Sequence, residues 1–385
     1  MTELASGNAP ATALPAFPFD PSPFFDPRVS ALDLKQKADY RHVVNLSSNE
    51  SDLAGLRTLF RRYLDAAPET VATRYPDWPR HIDETAAFYG VRDSNVAFDA
   101  GSDGAIRTIL SLLGRACGRV ILQEPNYPNY RYYASMAGCQ IIALRHPADQ
   151  WGETVADLAQ PLLSASPPAL VVVTSPNGFT GTSIPLSEMA SLCDLCAQHN
   201  HVLVIDEAYA PFGVIPHRSL LDRYEGVVIV RSFSKSCGMA GLRLGLAIAD
   251  SRIIAHLRRG CGVNGVSAIA TGFLSYCMAR PDEVGAQRSL VDAVRNRFAT
   301  DIRHTFRHWR VPPSSANFLL LDTGSAEVAD AVAEHLATRL IVVRHFRQGP
   351  AGLRGCLRMT VSDAEIMNRV RAELQKFVST REPAQ

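Results

Sequence analysis

A chain of 385 residues exceeds the size at which one hydrophobic core keeps growing, so two domains are expected. Its 46% hydrophobic and 20% charged residues describe an ordinary globular protein, and a net charge of +1 supplies no field to hold nucleic acid or an anionic membrane. No apolar run approaches the ~20 residues of a membrane helix, and the N-terminus shows no basic or apolar leader, so a cytoplasmic setting is expected.

Residues 1–27 carry prolines at 10, 15, 18, 21, 23 and 27, with Phe17, Phe19, Phe24 and Phe25 among them. Proline at this density blocks helix and sheet, which predicts an extended or disordered arm; its phenylalanines suit docking onto another surface. A helical segment is predicted over Val29–Tyr40 and a helix over Asp52–Ala67, with Leu56, Leu59, Phe60 and Tyr63 on its apolar face. Strand candidates then accumulate at 96–98, 119–123, 140–144, 169–174, 202–206, 227–231 and 244–249. Helical stretches such as 104–113, 130–137 and 186–199 separate most of them. That alternation predicts an α/β fold, a seven-stranded, mostly parallel sheet with helices on both faces. Helices at 253–259 and 290–306, strands at 317–322, 340–344 and 357–361, and a closing helix at 363–377 predict a smaller α+β unit. The expected division is an arm with a short helix over 1–45, a large domain over 46–270 and a small one over 271–385.

The cysteines are scattered. Cys193 and Cys196 form a C-x-x-C, but no second pair or histidine stands at zinc-ribbon spacing, and i and i+3 share a helix face. Packing is the expected role, and no metal site is expected.

Three strand ends carry chemistry. Leu170–Thr174 runs into Ser175-Pro176-Asn177-Gly178-Phe179-Thr180-Gly181, Val202–Ile205 ends in Asp206-Glu207-Ala208-Tyr209, and Val227–Val230 leads to Ser232-Phe233-Ser234-Lys235. Asn177, Asp206 and Lys235 are spaced 29 residues apart, and one strand–helix unit takes roughly 30 residues. Successive units deliver such side chains to the carboxyl edge of a parallel sheet, where ligands of open α/β sheets bind. A carboxylate, an amide, a phenol and an amine converging there suit a pyridoxal ring: acid on the pyridine nitrogen, amide and phenol on the ring oxygen, amine on the aldehyde.

With these motifs in their order, the chain resembles the fold-type I pyridoxal-phosphate (PLP) enzymes, class I/II aminotransferases, and is most similar to the histidinol-phosphate aminotransferase branch. The resemblance runs from about Asn45 to Leu374, through Leu46-Ser47-Ser48-Asn49-Glu50, Arg74-Tyr75-Pro76-Asp77, Gly101-Ser102-Asp103-Gly104, Glu124-Pro125-Asn126-Tyr127, Ser315-Ala316-Asn317-Phe318 and Leu357-Arg358-Met359-Thr360. It implies PLP on Lys235, with Asp206 at the ring nitrogen, Tyr209 and Asn177 at the ring oxygen, and Tyr127 stacked on the ring. Gly101, Ser102, Asp103, Ser232, Ser234 and Arg243 would surround the phosphate. Tyr75 would reach the phosphate of a neighbouring subunit, which implies a homodimer with shared active sites. Arg358 would bind the substrate α-carboxylate, Arg344 a substrate phosphate, and Asn49 would lie near the amino-acid end.

Departures from that pattern gather at the substrate walls. Asp39-Tyr40-Arg41-His42 stands near the place of a Tyr-x-Pro-Gly element, Ser51-Asp52 in place of Asn-Pro, Gly104 in place of an acid, and Gly178-Phe179 in place of an Asn-Pro pair beside Asn177. The expected activity is transamination between an amino acid and a 2-oxo acid or related carbonyl compound, in specialised amino-acid metabolism. The alternative is a PLP-dependent decarboxylase or other lyase. A PLP-binding regulator with a DNA-binding head is disfavoured, because the first 45 residues are too short and proline-rich to form one.

Overall fold

The computed structural model describes residues 42–146, 155–262, 265–347 and 352–379; the proline-rich arm and the helix expected at 29–40 lie outside them. The strands are β1 (Val44–Leu46), β2 (Val96–Ala100), β3 (Arg119–Glu124), β4 (Gln140–Arg145), β5 (Leu170–Thr174), β6 (Val202–Asp206), β7 (Val227–Ser232), β8 (Leu244–Ala249), β9 (Phe318–Asp322), β10 (Ile341–His345) and β11 (Cys356–Thr360).

Seven of them form one sheet in the order β2-β8-β7-β6-β5-β3-β4. Each expected strand of the large sheet is present, with bounds that differ by a residue or two. β8 runs antiparallel to both neighbours and the other six run parallel to one another. The short connection from Ser232 to Leu244 explains the reversal, since a parallel return needs a longer crossover. β5 and β7 are buried along their whole length, as continuous β-branched runs covered on both faces should be. Alternate residues feed two cores. Val171, Val173, Leu203 and Ile205 pack under helices Val155–Ala165 and Leu186–Gln198, while Leu170, Val172, Val204 and Val230 pack under Gly101–Ile109 and Ser251–Gly260.

The second sheet has the order β1-β10-β11-β9. β1 is parallel to β10, with Val44 opposite Ile341 and Leu46 opposite Val343. Its core joins Leu46, Leu319, Ile341, Leu357 and residues of helices Ala326–Thr338 and Ala364–Ser379. Helix Pro281–Thr305, which begins nine residues before the expected start at 290, spans both units. Val284 packs with the large-sheet side, whereas Val291, Phe298 and Ile302 pack with the small sheet. Among the described residues no helix is long and apolar enough to cross a membrane.

The topology gathers five loops on one edge. The carboxyl ends of β2, β3, β5, β6 and β7 point the same way, and the antiparallel β8 begins there. Thr174 is opposite Asp206, and Asp206 is opposite Val230. Residues 101–103, 126–127, 177–181, 206–209, 232–235 and 243 therefore share that edge, facing the start of the small sheet.

Candidate active site

Lys235 lies in a short helical turn, Phe233–Ser236, directly after β7. Its Nζ donates to the Ser48 carbonyl at 2.7 Å, and its own carbonyl accepts from Ser51 Oγ at 2.6 Å. Burial and then the like charge of Arg358 lower the amine to about 8; Glu50 opposes them, and Arg243 adds a smaller push downward. An amine so placed is partly neutral near physiological pH, the form that attacks a carbonyl.

Asp206 is buried at the end of β6. Tyr130 donates its hydroxyl to Oδ2 at 2.9 Å and Ala208 its backbone N–H to Oδ1 at 2.9 Å. Burial raises the carboxyl to about 6, and those two donors oppose the rise. Such a carboxylate is short of positive charge, which a protonated ring nitrogen would supply. Tyr130 was not among the sequence candidates. It is buried in helix Pro128–Met136, and its partner Asp206 is 76 residues away, so local spacing carried no signal for it.

Tyr209 accepts a hydrogen bond from Asn49 Nδ2 at 3.0 Å and rests edge-on against Phe318, with centroids 5.3 Å apart. Asn49 is buried in the left-handed region (φ 55), its N–H on Thr360 Oγ1 at 2.9 Å. Asn177 stands at the same edge, just past β5. Its Oδ1 accepts from the N–H groups of Phe179 and Thr180 at 2.9 and 3.2 Å, and its Nδ2 donates to the Pro125 carbonyl at 2.9 Å. These bonds fix the amide in its turn and use one of the two Nδ2 hydrogens. It is Gly178 that faces Tyr209: a Cβ there would stand 3.1 Å from Tyr209 Cε2.

The phosphate end is built from bare backbone. Gly101 (φ 75) opens helix Gly101–Ile109, and a Cβ on it would meet Arg243 Nη2 at 2.6 Å; a Cβ on Gly245 would meet the Ser102 nitrogen at 2.3 Å. Close backbone, a helix start and an arginine make an anion cradle. Ser232 caps the Lys235 turn, its Oγ accepting from the Ser234 N–H at 3.3 Å, and both serines are buried. Asp103 acts as a brace, with Oδ1 on Asn129 Nδ2 at 2.7 Å and Oδ2 on the Tyr133 hydroxyl at 2.8 Å. Tyr127 keeps 44% of its surface exposed and accepts from Asn129 Nδ2 at 2.9 Å, leaving a ring available for stacking. Tyr75 is not brought to this edge. It is 79% exposed beside a cleft of about 860 Å³ lined by Tyr63, His81, Tyr276 and Arg280.

From the small sheet, Arg358 reaches across. Its Nη1 donates to the Gly178 carbonyl at 2.6 Å and its Nη2 to the Ser47 carbonyl at 2.9 Å, while Nε is buried without a partner among the described residues. Burial lowers its pKa, as does Arg344, which lies directly opposite across the β10–β11 pair. Neither arginine meets a carboxylate among the described residues. Cys193 and Cys196 lie on the buried face of helix Leu186–Gln198, with burial pushing the Cys193 thiol up to about 12.

A phosphate cradle, an ion-deficient buried acid and a lysine of lowered pKa match the phosphate, ring nitrogen and aldehyde of PLP. The comparisons agree. Over 346 residues the chain is 29% identical to a histidinol-phosphate aminotransferase of Granulibacter bethesdensis, covering 88% of this chain and 90% of that one. Over 337 residues it is 30% identical to an aromatic amino acid aminotransferase of Rhodococcus opacus, covering 85% and 88%. A solved histidinol-phosphate aminotransferase of Sinorhizobium meliloti, in complex with pyridoxal-5'-phosphate, superposes with a TM-score of 0.75 over 88% of this chain and 92% of that one, at 21% identity. The family aminotransferase class I and II matches residues 41–374, and the chain belongs to it as a PLP-dependent enzyme.

Proposed function

We propose that the site exchanges the amino group of an amino acid for the oxo group of a 2-oxo acid, with Arg358 holding the α-carboxylate that both substrates share. The observation that carries this reading is the Arg358 guanidinium, bonded only to carbonyls and with Nε buried and unpartnered. A buried donor of that kind is costly until an anion reaches it. Bound PLP supplies the electron sink for bond breaking at the substrate Cα. Lys235 would bond the cofactor aldehyde and, when released, carry the proton at Cα. Asp206 would hold charge at the ring nitrogen, and Tyr209, steadied by Asn49, would donate to the ring oxygen. Arg344, opposite Arg358, would take a second negative charge on the substrate, so acidic or phosphorylated amino acids head the candidate substrates.

The same reading makes the protein a homodimer, with Tyr75 serving the neighbouring chain's phosphate cradle. It also places the protein in the cytoplasm, in keeping with cysteines that are all free. The large sheet would carry the cofactor and the small sheet the substrate clamp. Incubating the PLP-loaded enzyme with a panel of amino acids and 2-oxo acids tests the reaction type. Oxo acid formed in step with acceptor amination supports transamination; carbon dioxide and an amine product refute it in favour of decarboxylation.

A further inference from the structure

Arg358 is tied to both sides of the cleft. Gly178, which accepts from Nη1, belongs to the loop after β5; Ser47, which accepts from Nη2, follows β1 of the small sheet. The guanidinium carbon also lies 5.3 Å from the Phe318 ring centroid and 5.9 Å from that of Phe179, within cation–π range of both. Phe318 opens β9, so its place beside Arg358 is fixed by the small sheet itself.

Phe179 comes from the other side. It shares the β5 loop with Gly178, yet it is only 7% exposed and packs with Leu320, Phe346, Leu353 and Cys356. Its ring faces Phe346 at 5.6 Å and 34°. Every one of those partners belongs to the small sheet or its connections. A large-sheet loop is thus keyed by one aromatic side chain into the small-sheet side, next to the arginine. Two further details keep the loop close. The Gly181 carbonyl accepts from the Ser315 N–H at 2.8 Å, and a Cβ on Gly181 (φ 80) would meet Ser314 Oγ at 2.3 Å.

We propose that Phe179 is a positioning residue for substrate recognition: seated against Phe346, it fixes the β5 loop and one face of the Arg358 guanidinium, so that Nε and the adjacent Nη2 hydrogen form the fork that receives the α-carboxylate. This rests on the reading of Arg358 as the carboxylate site. Gly178 belongs to the same device, because its carbonyl holds Nη1 while its missing side chain leaves Tyr209 in place. An aromatic ring at 179 orients a planar cation, whereas an aliphatic side chain of similar volume fills the seat without orienting it.

The test uses the PLP-loaded enzyme and the deaminated analogue of the best amino-acid substrate, a plain carboxylate whose binding is read from the cofactor absorbance. Phe179→Leu is expected to weaken that carboxylate by about tenfold and raise KM alike, with kcat and cofactor retention little changed. Phe179→Tyr, which keeps the ring, should restore near-native binding, and Phe346→Leu, which loosens the seat from behind, should weaken it in the same direction. Native carboxylate affinity in both Phe179→Leu and Phe346→Leu overturns the proposal. So does a Tyr variant as defective as the Leu variant, or a loss of cofactor that accounts for the defect. Arg358→Ala separates the two layers: if it too binds the carboxylate normally, the reading of Arg358 fails, and if it alone loses binding, only the role of Phe179 fails.

Discussion

The Tyr130 hydroxyl donates to Asp206 Oδ2 at 2.9 Å inside a closed interior, so the buried acid at the end of β6 is held by a residue one helix away. Burial raises this carboxyl to about 6, against about 3.9 in an unfolded chain. A raised acid binds its proton more tightly in the folded state, so its contribution is fully present below about pH 4 and is lost as the pH rises through about 6. The loss is on the order of 3 kcal/mol. In the cofactor-free protein, urea unfolding between these pH values should show stability declining with pH. Asp206→Asn should flatten that decline, and Tyr130→Phe, which removes a donor to the charged form, should carry it to higher pH. Identical pH profiles for wild type and Asp206→Asn would contradict the burial argument.

Lys235 titrates in the opposite sense, its amine lowered to about 8 by burial and by two arginines. Capture of added PLP by the cofactor-free protein, trapped with borohydride, should therefore rise with pH to a midpoint near 8. Peptide mapping should find the label on Lys235, and Lys235→Ala should carry none. Arg358→Ala removes a neighbouring cation and should move the midpoint upward. A label on another lysine would sink the assignment of the whole edge.

Gly178→Asn reintroduces a side chain against Tyr209, whose Cε2 would lie 3.1 Å from the new Cβ. The ring must move, and with it the 3.0 Å bond from Asn49. A fall in kcat/KM of about tenfold or more is expected, with a smaller one for Gly178→Ala. An asparagine variant as active as wild type would mean that Tyr209 has room the structure does not show.

Tyr75 is expected to act across a subunit boundary. Mixing Lys235→Ala with a Tyr75→Ala variant that has lost PLP retention should restore part of the activity, because one site of each hybrid dimer then holds both native residues. Arg358→Ala mixed with Lys235→Ala should restore none, since both residues then serve the site of the same chain and every site lacks one of them. Equal complementation by the two mixtures, or a fully active monomer in sedimentation, would refute the shared site.

Much of the large sheet could be read from the sequence because its strands are buried on both faces and so appear as unbroken β-branched runs ending in polar residues. Lys235 and Asp206 stood out for the same reason, each the first reactive group past such a run. What escaped depends on partners far along the chain. Tyr130 meets Asp206 from another unit, and Asn49, with its backbone in the left-handed region, meets Tyr209 from 160 residues away. β1 is three residues long, too short to show a period, and it becomes a strand only against β10.

That β1 completes the sheet whose other three strands begin only at Phe318 has a practical consequence for any attempt to divide the protein. A fragment starting at residue 271 would keep β9, β10 and β11 but leave Ile341–His345 as a bare edge, its N–H and C=O groups free to recruit another chain. Such a fragment should self-associate, and adding back a peptide covering residues 42–53 should suppress that association by occupying the vacant lane. Three residues near the start of the polypeptide thus serve as the selvage of its last sheet.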